Sequence, residues 1–362
     1  MKALVRICGL AAISTSFLLA AGCEEKSNVP ADAGDLPDSG PAKPDLGGKL
    51  GAAVAAAESA QAKSAKGPGN QGGPPETGIF PAGGADAALA PGAPPKVEVV
   101  NEGADPKVLL AYAPAGDEQK ATITVGVRLA QGGLPAVDFS LVYKLDRPKE
   151  KKDKPDPLPV LVKVASVAPG KDVAGRFPKE IADALAKFKG TEIRYELAPN
   201  GAMSAPRVTL PKEADPKVDV AIRALAEAMT LLNVPLPDKA IGAGGYWMVT
   251  DRSSTFNMDV VRYRVFRVQS IEKDKAQLSV DVRQYSVRDE VDLGALANGQ
   301  KIKLDRFDSQ GKGNVAWTAG ALLPAKDDMN VRVMIMPAGQ RGGIPLEVDA
   351  STDEPAKDEK KK

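Results

Sequence analysis

The chain contains no histidine. That removes the side chain that most often moves protons near neutral pH. Ser-His-Asp and Cys-His catalysis are excluded with it, as is every zinc site that needs imidazole. Cysteine is scarce: Cys8 and Cys23 are the 2 in 362 residues. If a leader containing Cys8 is removed, Cys23 stands alone and no intrachain disulfide forms. Aromatics make up 4% of the chain, too few to line a sugar cleft. An excess of either charge is also missing, with 48 Lys plus Arg against 47 Asp plus Glu. No global basic field therefore draws the chain onto nucleic acid. The loop acids Asp305, Asp308, Asp327 and Asp328 lack the spacing of a calcium loop. Neither catalytic residues, metal nor cofactor are expected.

What the chain has instead is a marked N-terminus. Lys2 and Arg6 give a positive start, and an apolar stretch runs from about Ala3 to Ala21, broken by Arg6, Ser14, Thr15 and Ser16. It is too short and broken for a membrane span and matches an export signal over residues 1–22. It ends in Leu19-Ala20-Ala21-Gly22-Cys23. This run resembles the lipobox of bacterial lipoprotein signal peptides, with Ala20 where leucine is preferred. The resemblance implies cleavage before Cys23, a diacylglyceryl group on its sulfur and an acylated new N-terminus. Two or three acyl chains hold firmly, since each buried methylene contributes ~0.8 kcal/mol. Glu24, rather than Asp, follows the cysteine. In Gram-negative lipoproteins, Asp there holds the protein in the inner membrane, so the resemblance implies an envelope location leaning to the outer membrane.

From residue 23 to 95 the chain is rich in Ala, Gly and Pro, with runs such as Gly72-Gly73-Pro74-Pro75. So little apolar surface cannot offset the entropy of ordering, and a disordered tether is expected. A charged tail is expected over 351–362.

Between them, over 96–350, alternation predicts half-buried strands. Ile123, Val125, Val127 and Leu129 alternate with polar or small residues, as do Val137 to Leu145 and Val160 to Val164. Pro178 and Gly190 bracket a short helix, and Asn200-Gly201 predicts a hairpin turn. The best helix spans 215–233, where Val218, Ile222, Leu225, Met229 and Leu232 form one stripe. Further strands are expected at 246–250, 258–268, 276–287, 300–308, 314–318 and 331–336. The fold class predicted is α+β: a curved antiparallel meander, open like a half-barrel, with one or two helices packed against it.

Leu236, Pro237, Gly242, Gly244 and Trp247 after the helix, and Gly311 and Gly313 later, resemble a broad group of bacterial envelope proteins. Many of those are lipoproteins. The likeness runs from about Val108 to Leu346 and implies a fold and a location, with no reaction attached. Gly242-Ala243-Gly244-Gly245 follows a helix and precedes a strand, so it predicts a turn rather than a phosphate-cradling loop.

Two functional expectations follow. In the first, the meander and helix enclose a cavity for a lipid or other hydrophobic ligand, with Val218, Ile222, Leu225, Met229 and Trp247 facing it. The arrangement resembles periplasmic lipoprotein-carrier half-barrels. In the second, the domain is a solid-cored adaptor on a leash, meeting an envelope protein or the cell wall. Arg262 and Arg264 share one strand face opposite Val261, Tyr263 and Val265. That basic face either binds phosphate, lipid headgroups or cell-wall acids, or is solvated.

Overall fold

The computed structural model describes residues 74–129, 132–147, 157–215, 219–292, 301–324 and 326–353. The expected signal peptide, Cys23, the first part of the tether, Val218 and the tail beyond Asp353 lie outside them.

Among the described residues, thirteen strands and three α-helices form the fold. The strands are β1 (Lys96–Asn101), β2 (Glu118–Leu129), β3 (Gly132–Leu145), β4 (Leu158–Pro169), β5 (Glu192–Leu197), β6 (Arg207–Thr209) and β7 (Tyr246–Thr255). They continue with β8 (Met258–Glu272), β9 (Lys275–Ser286), β10 (Glu290–Asp292), β11 (Lys301–Thr318), β12 (Asp327–Pro337) and β13 (Ile344–Asp353). The helices are α1 (Gly84–Ala88), α2 (Lys179–Ala186) and α3 (Asp219–Leu232).

One antiparallel sheet runs in the order β1-β7-β8-β9-β11-β12-β13-β2-β3-β4-β5-β6, with β10 paired to β11. Two meanders, β2 to β6 and β7 to β13, are joined where β13 pairs with β2. The sheet does not close: β1 and β6 are its free edges. Helix α3 touches β7 near one end of this order and β3 near the other, with β12, β13 and β2 between. Those strands stand seven gaps apart, ~34 Å of flat sheet at ~4.8 Å each. A 14-residue helix is only ~21 Å long. The sheet therefore curls about the helix, as the meander predicts.

Alternation located β2, β3, β4 and β5 well, because each buries one face: Ile123, Val125, Val137, Phe139 and Val162 have no accessible surface. Three differences stand out. First, 300–308 and 314–318 are one strand, β11, running through Gly311 and Gly313. A Cβ on Gly313 would lie 2.1 Å from the Asp328 carbonyl oxygen, so this glycine allows β12 to approach rather than ending the strand. Second, β13 extends past the expected domain end at 350, filling the seam between the two meanders.

Third, residues 74–95 are joined to the domain instead of belonging wholly to the tether. Strands β9 and β11 pair from Lys275 to Val282 and then splay apart. Residues 77–80 fill the fork. The Phe307 N–H donates to the Thr77 carbonyl, and Ser286 exchanges hydrogen bonds with Gly78 and Phe80. Beyond it, Phe80, Ala85 and Ala88 pack on Met248, Val261, Tyr263 and Val265, on the outer side of the sheet. Arg252 fastens the strap: it donates twice to Asp259, and its Nη1 reaches Asp86 at 3.1 Å and the Leu89 carbonyl at 3.0 Å. Composition hid this segment, since a few apolar anchors and backbone bonds suffice when a sheet face is ready to receive them.

Gly78 has φ +74°, and a Cβ there would sit 1.6 Å from the Phe307 carbonyl oxygen. Gly78→Val should therefore unseat the strap at a cost of about 1–3 kcal/mol. Limited proteolysis checks it: cleavage within 74–95 should become fast while the sheet stays intact. Unchanged protection would mean the fork does not need this glycine.

Candidate functional site

The sequence-predicted ligand face lies on α3. Its apolar residues recur every three or four positions, so a helix there puts them on one side, and the curled sheet receives that side. Leu225, Met229 and Trp247 each have 0% accessible surface, and Ile222 has 3%. A side chain with no accessible surface touches no void that admits a water-sized sphere, whether closed or open. These residues pack as core. Trp247 stacks on Phe266 at 5.4 Å between ring centroids and donates its Nε1–H to the Pro235 carbonyl at 2.8 Å. The Pro-containing turn after α3 is thus tied to the sheet through Trp247.

Arg262 and Arg264, predicted on a ligand-binding or solvated face, lie inside instead, both 1% exposed. The two faces of β8 were assigned correctly by alternation, but the strap covers the Val261, Tyr263 and Val265 face. The arginine face then turns inward. Its compensation is Asp251, directly across the β7–β8 pair from Arg262. Arg262 Nε donates to Asp251 Oδ1 at 2.9 Å, and Arg264 Nη2 lies 2.8 Å from Oδ2.

One nitrogen of each guanidinium caps the helix. The last carbonyls of α3 have no partner within the helix and carry its negative dipole end. Arg264 Nη1 donates to the Thr230 and Leu231 carbonyls, both at 3.1 Å, and to that of Asn233. Arg262 Nη2 reaches the Thr230 carbonyl at 3.2 Å. Burial pulls the Arg264 guanidinium down to about 10 while Asp251 pulls it back up, so it stays charged at neutral pH. Two cations, one carboxylate and a helix terminus form a lock between α3 and β7–β8.

Two more carboxyls adjoin it. Burial pushes the half-buried Glu227 up to about 7, against a hydrogen bond with Thr255 and the charge of Arg262. Asp327, 3% exposed, is pushed up to about 8, first by burial and then by the charge of Asp328; Arg264 opposes this. The Asp328 backbone N–H draws it down as well, but neither carboxyl oxygen has a partner in full hydrogen-bond geometry among the described residues. Sequence pattern placed none of these acids in the interior. Asp251 carried a usable signal: it continues the alternation Trp247, Val249, Asp251 on the inward face.

A buried carboxyl near neutrality is chemically able to exchange a proton. Among the described residues no group of His, Cys, Asp or Glu is placed to hold a metal ion. No described helix is long and apolar enough to cross a membrane.

No family model and no curated protein matches this chain. One solved structure similar to it is the crystal structure of a LolA superfamily protein from Nitrosomonas europaea. It is 10% identical, with 67% of this chain and 87% of that chain covered and a TM-score of 0.20. A likeness at that score supports no argument about function, and the functional case rests on this chain's own geometry.

Proposed function

We propose that this chain is a non-catalytic envelope lipoprotein, acylated on Cys23, that displays a solid-cored recognition domain on a leash. The leash runs from Cys23 to the strap that begins near Pro74. At roughly 5–6 Å per square root of residue number, a coil of that length would reach ~40 Å. The domain then stands clear of the membrane, on the outer-membrane side that Glu24 favours, and meets its partner through its outer surface.

One observation carries this: the inward face of α3 is buried against the sheet, and its C-terminus is locked by Arg262 and Arg264. A lid over a ligand cavity needs neither. The second reading, a carrier of a lipid or hydrophobic ligand, is favoured by the unclosed sheet with its free edges at β1 and β6. It requires α3 to leave its seat and take two buried guanidiniums from their partners.

Native mass spectrometry of protein purified from membranes separates the two. The display reading expects a mature chain starting at Cys23, carrying covalent acyl groups and no other lipid. A stoichiometric lipid that dissociates on unfolding would overturn it in favour of the carrier. An unacylated thiol would remove the anchor.

A further inference from the structure

The outer face of the sheet has a cleft of about 510 Å³ over β2, β13, β12, β11 and β9. Its floor is one cross-strand row. Arg128 pairs with Glu347, Glu347 with Arg332, and Arg332 with Gln310. The pair Gly311–Val282 sets Arg283 beside Gln310 on the next strand. These five side chains alternate with Leu346, Val333 and Ser309, which are buried on the opposite face. The row reads cation, anion, cation, amide, cation.

The charges along it are unevenly matched. Burial pushes the Glu347 carboxyl up, but hydrogen bonds from Asn330 and Arg332 and the charges of Arg128 and Arg332 outweigh it, holding the group below the usual range. Glu347 is therefore ionised and shared, 3.1 Å from Arg128 and 3.0 Å from Arg332. Arg128 also pairs with Asp349. Arg283 differs: among the described residues, its one hydrogen bond goes to the Ser309 carbonyl at 3.1 Å. The cleft's other carboxylate, Asp308, is paired with Arg306 at 2.8 Å, so the positive charge of the row is least compensated at the Arg332–Gln310–Arg283 end. Arg332 lies one paired strand from Gln310, and Arg283 follows directly on the last β9–β11 pair, so the two arginines flank Gln310. Both long side chains can converge above the Gln310 amide between them.

We propose that this end of the cleft binds a phosphate group, held by Arg332 and Arg283 with Gln310 donating from below. Guanidinium forks match phosphate oxygens and give charge-assisted hydrogen bonds. Met334, 37% exposed and in the cleft wall, offers apolar contact to whatever the phosphate esterifies. The phosphate belongs either to a free anion or to a phospholipid headgroup. The site does not depend on acylation of Cys23 or on how α3 moves.

Calorimetric titration of the full-length protein in non-ionic detergent tests this, using inorganic phosphate and glycerophosphoglycerol, the deacylated headgroup of phosphatidylglycerol. Binding of phosphate alone assigns the free anion; binding of the diester, alone or with phosphate, assigns the headgroup. Arg283→Gln and Arg332→Gln should each weaken binding about tenfold or more. Both residues lie on the outer face, so melting temperature should hold and report that the variants are folded. No heat with either probe, or parental affinity in the double variant, overturns the proposal.

Discussion

Asp251→Ala should lower the unfolding free energy by about 3–5 kcal/mol, the range for removing one partner of a buried ion cluster. The Asp251 side chain is 6% exposed, and those of Arg262 and Arg264 are each 2% exposed. Its loss leaves two guanidiniums in the core without the carboxylate that pairs with both of them. Water cannot easily replace the carboxylate, since Asp251 and both arginines are buried in the folded chain. A domain is stable by only ~5–15 kcal/mol, so soluble yield should fall as well. Asp251→Asn should cost less, because the amide oxygen still accepts from Arg262 Nε. Urea unfolding with linear extrapolation measures both. A loss under about 1 kcal/mol for the alanine variant would mean the cluster is wet.

The second large effect depends on pH. The Asp327 carboxyl rises from 3.8 in its reference state to about 8 in the folded chain. Below pH 4 both folded and unfolded chains hold the proton, and the group costs nothing. Between pH 4 and 8 the unfolded chain releases it while the folded chain keeps it, so stability falls as pH rises. Above 8 the penalty is constant. Each tenfold gain in proton affinity on folding corresponds to about 1.4 kcal/mol, giving a full penalty on the order of several kcal/mol. Asp327→Asn removes the titration at nearly constant shape. It should raise the melting temperature at pH 8.5 and change it little at pH 4. An equal effect at both values would show that Asp327 does not titrate on unfolding.

Both effects arise where the sequence was hardest to interpret. Alternation made the strands legible, because each inward residue of β2, β3 and β4 is apolar and period two follows directly from the pleat. The helix stripe was legible for the same reason, and so was its packing against the sheet. The side of β8 that faces inward was not. Its two faces are Arg262 and Arg264 against Val261, Tyr263 and Val265, and local pattern favours burying the apolar one. Both are buried. That outcome needs a segment about 180 residues away, the strap at 77–88, to cover the apolar face. It also needs a helix terminus and Asp251 to receive the charges. Neither condition is local, so no window of sequence contains it. The arginine row of the outer cleft was illegible for a similar reason. Arg128, Arg283 and Arg332 lie far apart in the chain and meet only through strand register, across β13 on one side of β12 and across β11 on the other.

The lock also bears on how the domain works. A helix held by apolar packing alone can swing out to admit a ligand, as lids do. Here the helix end is fixed by four hydrogen bonds from two buried arginines, so opening strips those charges and uncovers the core together. The outer surface is then the part free to make contacts, and it includes the cleft over β9, β11, β12, β13 and β2.

Amide hydrogen exchange along α3 in the full-length protein tests this most directly. The residues from Leu225 to Leu232 should exchange only by global unfolding, at the same opening free energy as the centre of β8, and added lipid should leave them unchanged. Opening of α3 several kcal/mol below that of β8, with protection gained when lipid is supplied, would contradict the locked domain and restore the helix as a lid.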